Sequence, residues 1–165
     1  MIYRSSIKTL LVLALIAMAT GGFLLHIRIH PYSANHSNLV AILSGILSIV
    51  VVPLLFSFKK SVSFGYVLNG MLVIIGTITM AHFSLAHLPE TLSIAAIFTK
   101  TLLADILILW GNFFVGKALF DFEIHGLDPD KPRIGIVYRY PNNGWWAIHL
   151  ILIACVYWAG HILWR

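Results

Sequence analysis

Residues 39–58 read LVAILSGILSIVVVPLLFSF, a run that contains no charged side chain. An α-helix of about 20 residues rises about 30 Å, which is the thickness of the hydrocarbon core of a bilayer. Lys59 and Lys60 follow at once and end the apolar run. The stretch therefore predicts a helix that spans a membrane.

Four further apolar runs have a comparable length. They are Ile7–Ile27, Phe64–Ala86, Leu92–Phe114 and Trp145–Trp164. Because the links between the first four spans are short, consecutive helices are expected to pack as antiparallel neighbours. The sequence predicts an all-α integral membrane helical bundle, with five transmembrane helices in up-down antiparallel order and a single transmembrane domain over residues 1–165.

The composition agrees with lipid as the surrounding solvent. Hydrophobic residues make up 59% of the chain and charged residues only 10%, too few to cover the surface of a soluble fold. The formal net charge is +5, but the basic residues are scattered and form no patch that would bind nucleic acid. The expected partners are the lipid bilayer and other membrane subunits or a second copy. Cys155 is the only cysteine, so an internal disulfide is excluded.

The distribution of basic residues predicts the orientation, because Lys and Arg are retained on the cytoplasmic side. An N-terminus in the cytoplasm places most of them inside and leaves only Arg28 and Arg165 outside. The inside residues are Arg4, Lys8, Lys59, Lys60, Lys117, Lys131, Arg133 and Arg139. We therefore expect a multi-pass protein of the cell (inner) membrane with a cytoplasmic N-terminus and a cytoplasmic loop over residues 117–144.

The N-terminus has a second interpretation. Ala17-Met18-Ala19 resembles a secretory cleavage site, and removal of residues 1–19 would leave four spans. The apolar run continues past this site through Leu25, which favours an uncleaved first helix.

Histidines gather near the outer ends of the predicted spans. His26, His82 and His161 come from three helices at similar depth, where imidazoles could bind a b-type haem or a quinone. His26, His30 and His82 are the candidate ligands of a transition metal, with the first two spaced i, i+4 on one helical face. The simpler interpretation is that these histidines sit at the membrane interface with their polar edges in water.

Polar residues interrupt the fourth predicted span. These intramembrane residues are Lys100, Asp105 and Asn112. Ionisable groups within a span are expensive to keep there and indicate function or contact with a partner. Lys100 can also extend to the outer interface, whereas Asp105 lies near mid-membrane and needs a partner or a proton.

No catalytic signature occurs in the chain, so a stand-alone enzyme is not expected. The first hypothesis is a small membrane subunit of an electron-transfer or quinone-linked complex that binds a b-type haem or quinone near the outer face. One alternative is a small transporter or ion-conducting bundle that uses Asp105, Lys100 and Asn69. Another is a structural or assembly protein without a cofactor.

Overall fold

The computed structural model describes residues 2–29, 39–86 and 103–126, together with isolated positions at 93, 95, 144, 147–149, 151–153, 155, 156 and 159. Within these residues all regular secondary structure is helical, which confirms the predicted all-α class for this part of the chain. The chain divides into two compact units, residues 1–126 and 127–165. In the second unit, the described positions are helical and mostly exposed.

Five α-helices make up the described part of the first unit. They are α1 (Ile2–Ile29), α2 (Leu39–Ile46), α3 (Val52–Ser57), α4 (Val62–Ala86) and α5 (Leu103–His125). A π-helical turn at Leu47–Val51 joins α2 to α3, and a short 3₁₀ turn at Lys59–Ser61 precedes α4. The α2–α3 segment therefore forms one helical rod with an irregular turn in its middle.

Three helical stretches of the described residues are long and apolar enough to cross a membrane. They are Arg4–Ile27, Leu39–Ser57 and Lys59–Met80, and they overlap the first three predicted spans. This number differs from the five spans predicted. Most of residues 87–102 and much of the predicted fifth span, Trp145–Trp164, lie outside the described residues.

The helix assigned to the fourth span ends later than predicted. The apolar run stops at Phe114, but α5 continues to His125, so residues 117–125 of the expected loop are helical. Leu119, Phe120 and Phe122 are buried in this extension, and Lys117 pairs with Asp121 one turn along the helix. The charges that end an apolar span are therefore compatible with a continuing helix, because its apolar residues still pack on neighbours.

The helices form a ring in which each rod has two neighbours. Helix α5 packs mainly against α1 and α4, and the α2–α3 rod packs against the same two helices. Helices α1 and α4 therefore face each other across the ring. This arrangement directs one face of each towards a common interior.

The π-helical turn has a local cause. Pro53 has no backbone N–H to donate to the preceding turn, so a regular α-helical ladder cannot pass through it. Instead, the N–H of Val52 donates to the carbonyl of Leu47, five residues earlier. Pro53 is thus accommodated by one wide turn within a continuous rod.

Charged residues join three helices at one end of the first unit. Nζ of Lys8 lies 3.1 Å from Oε1 of Glu123 on α5, and it donates to the carbonyl oxygen of Ser57 on α3, also at 3.1 Å. The guanidinium of Arg4 lies 5.6 Å from the ring centre of Phe122. We call this the basic end, since the exposed turn with Lys59 and Lys60 directly follows Ser57.

The outer surface of the described residues is largely apolar, and a few polar side chains lie inside. Large apolar side chains such as Leu10, Leu24 and Phe64 are exposed on the described surface. Buried positions, in contrast, include the polar residues His26, Asn69, Asn112 and Glu123.

Candidate functional site

A cavity of about 70 Å³ lies between α1, α2, α4 and α5. It extends from His26 on α1 to Asn112 on α5. Its wall is otherwise mostly apolar and includes Phe23, Leu72 and Ile108. The remaining lining residues are Met18, Ala19, Gly22, Ala41, Ser44, Gly45, Ser48, Gly76, Thr79, Met80 and Leu109. Most of these residues are only half-buried, so among the described residues the cavity is open on one side.

Small residues allow close packing around the cavity. A Cβ atom added at Gly45 would lie 2.3 Å from the ring of Phe23, so this ring packs directly on the α2 backbone. At Gly76 an added Cβ would lie 3.0 Å from Leu109. Close approach at glycines is typical of helices packed in lipid.

His26 closes the cavity at one end. Its Nδ1 lies 2.8 Å from Sδ of Met80, a contact that connects α1 to α4 across the ring. Both residues are buried. An imidazole N–H can donate to a thioether sulfur, which is a weak acceptor. This contact therefore holds the His26 ring in one orientation.

At the other end of the cavity, the amide of Asn112 is hydrogen-bonded to that of Asn69. Nδ2 of Asn69 donates to the backbone oxygen of Asn112 at 3.2 Å, and Nδ2 of Asn112 donates to Oδ1 of Asn69 at 3.0 Å. Asn69 is fully buried and Asn112 is 4% exposed. Among the described residues, no donor reaches Oδ1 of Asn112.

An aromatic layer separates the amide pair from the basic end. It consists of Phe56, Tyr66, Phe113 and Phe120, all of them buried. The rings of Tyr66 and Phe120 stack with centres 4.8 Å apart, and the centre of Phe113 lies 6.0 Å from that of Tyr66. These buried rings therefore fill the described interior between the amide pair and the basic end.

Two of the predicted site residues, His26 and Asn112, line the same cavity. His82 follows Met80 by two residues on α4, and Asp105 lies on α5, but the side chains of both are outside the described part. His30, Lys100 and His161 also lie outside it. The residues that the structure describes contain no group of three or more His, Cys, Asp or Glu side chains that could hold a metal ion. The predicted ligand sets remain predictions.

Sequence reasoning missed the partners of these residues. The sequence suggested Asn69 only as a residue of a transport path. An asparagine in each of two apolar helices is, however, typical of a hydrogen bond between the helices. The pairing of Lys8 with Glu123 was also missed, because Glu123 was assigned to a loop.

Neither a protein-family model, nor a curated protein, nor a solved structure matches the chain.

Proposed function

We propose that the chain is a five-span protein of the inner membrane with its N-terminus in the cytoplasm. Three sufficiently long apolar helices and the apolar outer surface support membrane residence. The basic end supports the orientation, because Arg4, Lys8 and the Lys59–Ser61 turn come from separate segments that meet there. In this frame the cavity lies in the outer half of the bundle.

Within the membrane, the protein acts as a small subunit of an electron-transfer or quinone-linked complex, and the cavity binds the ring of a quinone. The observation that carries this proposal is a mostly apolar cavity with His26 at one end and the amide of Asn112 at the other. A quinone has an apolar ring with a polar oxygen at each of two opposite positions. A site of this class needs apolar walls and a few placed polar groups.

Size and contacts favour a quinone over a haem. The cavity has a volume of about 70 Å³ and is open on one side. The ring of a quinone can enter the cavity from its open side, whereas a porphyrin is far larger than the cavity. Nitrogen and sulfur ligands of a tetrahedral zinc ion, with bonds of about 2.0 and 2.3 Å, lie about 3.5 Å apart. The observed separation is 2.8 Å.

The aromatic layer argues against the alternative in which the protein is a transporter or an ion-conducting bundle. A path through this unit towards the basic end would have to pass the buried rings of Phe56, Tyr66, Phe113 and Phe120. Such a layer favours binding over conduction.

Binding of a short-chain quinone to the protein in lipid nanodiscs tests the proposal. We expect saturable binding by calorimetry and no Soret band that shifts on reduction. Ser44→Leu fills the cavity from α2 and should abolish binding. Ser63→Leu is the matched control, since Ser63 is exposed on α4 and does not line the cavity. Absence of binding to the unaltered protein, or equal affinity in Ser44→Leu, would contradict the proposal.

A further inference from the structure

The basic end and the last turns of α5 carry more cations than carboxylates. Two cations are neutralised, through the pairs Lys8–Glu123 and Lys117–Asp121. Three further cations are exposed and have no acidic partner among the described residues; they are Arg4, Lys59 and Lys60. We call these three residues the cationic patch. Its charge is not balanced within the described part of the chain.

Contacts of Lys8 bring the two segments of the cationic patch together. Arg4 lies one turn before Lys8 on α1. Nζ of Lys8 donates to the carbonyl oxygen of Ser57 at 3.1 Å, and Lys59 and Lys60 follow two and three residues later. The three cations are therefore gathered at one place on the surface instead of being spread around the bundle.

Hydrogen bonds hold the turn that carries the two lysines of the patch. The N–H of Ser61 donates to the carbonyl oxygen of Phe58 at 3.1 Å, and Oγ of Ser61 donates to that of Leu55 at 2.8 Å. Lysine side chains near the end of a helix often bind its last carbonyl oxygens. Here those oxygens already have donors, which leaves the two ammonium groups of the turn available to another anion.

Apolar side chains adjoin the cationic patch on the outer surface. Phe58 directly precedes the two lysines and is 61% exposed, and Phe64 near the start of α4 is 70% exposed. Leu10 on α1 and Leu54 on α3 are exposed as well and continue this apolar surface away from the patch. A ligand that is complementary to both surfaces has an anionic group joined to long apolar chains.

We propose that the cationic patch binds the phosphate of an anionic phospholipid, whose acyl chains lie along the exposed apolar residues beside it. Basic residues at the cytoplasmic surface of a membrane attract the anionic lipids of that leaflet. In the sequence after α5, Asp128 and Asp130 are outnumbered by Lys131, Arg133 and Arg139, so this loop adds no net negative charge. The inference rests on the membrane residence and orientation proposed above, but not on the quinone site.

The expected selectivity follows from the number of cations. Each Lys or Arg close to an anionic membrane surface strengthens binding by about fivefold. Three such residues should favour an anionic over a zwitterionic lipid by up to about 100-fold at low ionic strength. Salt should reduce this preference, because exposed charges are screened.

Native mass spectrometry of the full chain in a neutral detergent tests the proposal, by titration with phosphatidylglycerol or with phosphatidylcholine at low salt. Unaltered protein should bind phosphatidylglycerol at least about tenfold more tightly. Arg4→Gln should lower this ratio about fivefold, and Lys59→Gln/Lys60→Gln should lower it further. All three side chains are exposed, so the variants should keep the helix content of the unaltered protein in circular dichroism.

Arg28→Gln is the matched control for Arg4→Gln. Both substitutions remove one positive charge from α1, but Arg28 lies at the opposite end of that helix. We expect the lipid preference of Arg28→Gln to equal that of the unaltered protein. An equal loss in Arg28→Gln and Arg4→Gln would show a general effect of net charge and overturn the site.

Two other results would also overturn the inference. One is equal affinity of the unaltered protein for the two lipids. The other is release of bound phosphatidylglycerol by excess inorganic phosphate, which would indicate a site for a soluble anion instead of a lipid. Quinone binding is measured separately, so a failure of lipid selectivity is distinguishable from a failure of the proposed quinone site.

Discussion

Replacement of Gly116 by alanine places a methyl group where the amide of Asn69 lies. A Cβ atom at position 116 would be 2.3 Å from Nδ2 of Asn69, 3.2 Å from its Cγ and 3.5 Å from Cζ of Phe56. Carbon contacts are comfortable at about 3.5–4.0 Å, so the amide must move by about 1 Å or more. The two hydrogen bonds between Asn69 and Asn112, at 3.2 and 3.0 Å, would then exceed bonding distance.

The expected free-energy change combines three contributions. Overpacking of a filled interior costs about 1–3 kcal/mol. Interhelical hydrogen bonds in membranes contribute about 0.6 kcal/mol each on average. Alanine is favoured over glycine within a helix by about 0.5–1 kcal/mol. Gly116→Ala should therefore destabilise the protein by about 1–4 kcal/mol.

Gly21→Ala supplies the matched control. An added Cβ at Gly21 meets no heavy atom of the described residues within 4 Å. The same substitution should there leave stability unchanged or raise it by up to about 1 kcal/mol. Both free energies of unfolding can be measured by detergent-induced unfolding followed by circular dichroism.

A double-mutant cycle identifies the cause. Asn69→Ala removes the amide that the methyl group would strike, so Gly116→Ala should cost much less in that background. Residues in contact typically show coupling of about 0.5–3 kcal/mol. The reasoning is refuted if Gly116→Ala is as stable as Gly21→Ala, or if its cost is the same with and without Asn69.

Three further predictions concern the Lys8–Glu123 pair, Met80 and the orientation of the chain. Lys8→Met leaves the carboxylate of Glu123, whose side chain is only 7% exposed, without its cation and should destabilise the protein by about 1–3 kcal/mol. Glu123→Gln keeps the shape of that side chain and should cost less in the same unfolding assay; an equal or larger loss would contradict the pairing. Met80→Ala should cost about 2–5 kcal/mol and Met80→Leu less than about 1.5 kcal/mol, and equal costs would argue against a filled interior at Met80. Lys60→Cys in a Cys155→Ser background should react with a membrane-impermeant maleimide in inside-out vesicles only; labelling of intact cells would reverse the proposed orientation.

The boundaries of the helices were predictable where apolar runs meet charged turns. Lys59 and Lys60 end one predicted span, and in the structure the 3₁₀ turn begins at Lys59. The same rule was wrong at Phe114 as the end of a helix, because α5 continues to His125. Charge limits how far a segment extends into hydrocarbon, but it does not end a helix whose side chains still have neighbours.

The candidate site was predictable only in part. Intramembrane polarity indicated Asn112, and depth in the bundle indicated His26, since both depend on position along a single helix. The contact of His26 with Met80 and the pairing of Asn69 with Asn112 join residues 54 and 43 positions apart. Their formation depends on how far each helix is rotated about its own axis.

The sequence by itself determined that these segments are helices of membrane-spanning length, and it placed the basic residues so that one orientation is expected. Both properties are local, because in an apolar surrounding each backbone group must find its hydrogen bond within its own helix. The tertiary structure alone decided which side chains meet inside the ring. Apolar residues cover nearly every face of these helices, so the pattern along the chain does not mark the inward face. Only packing at small residues brings His26, Asn69 and Asn112 to a common interior.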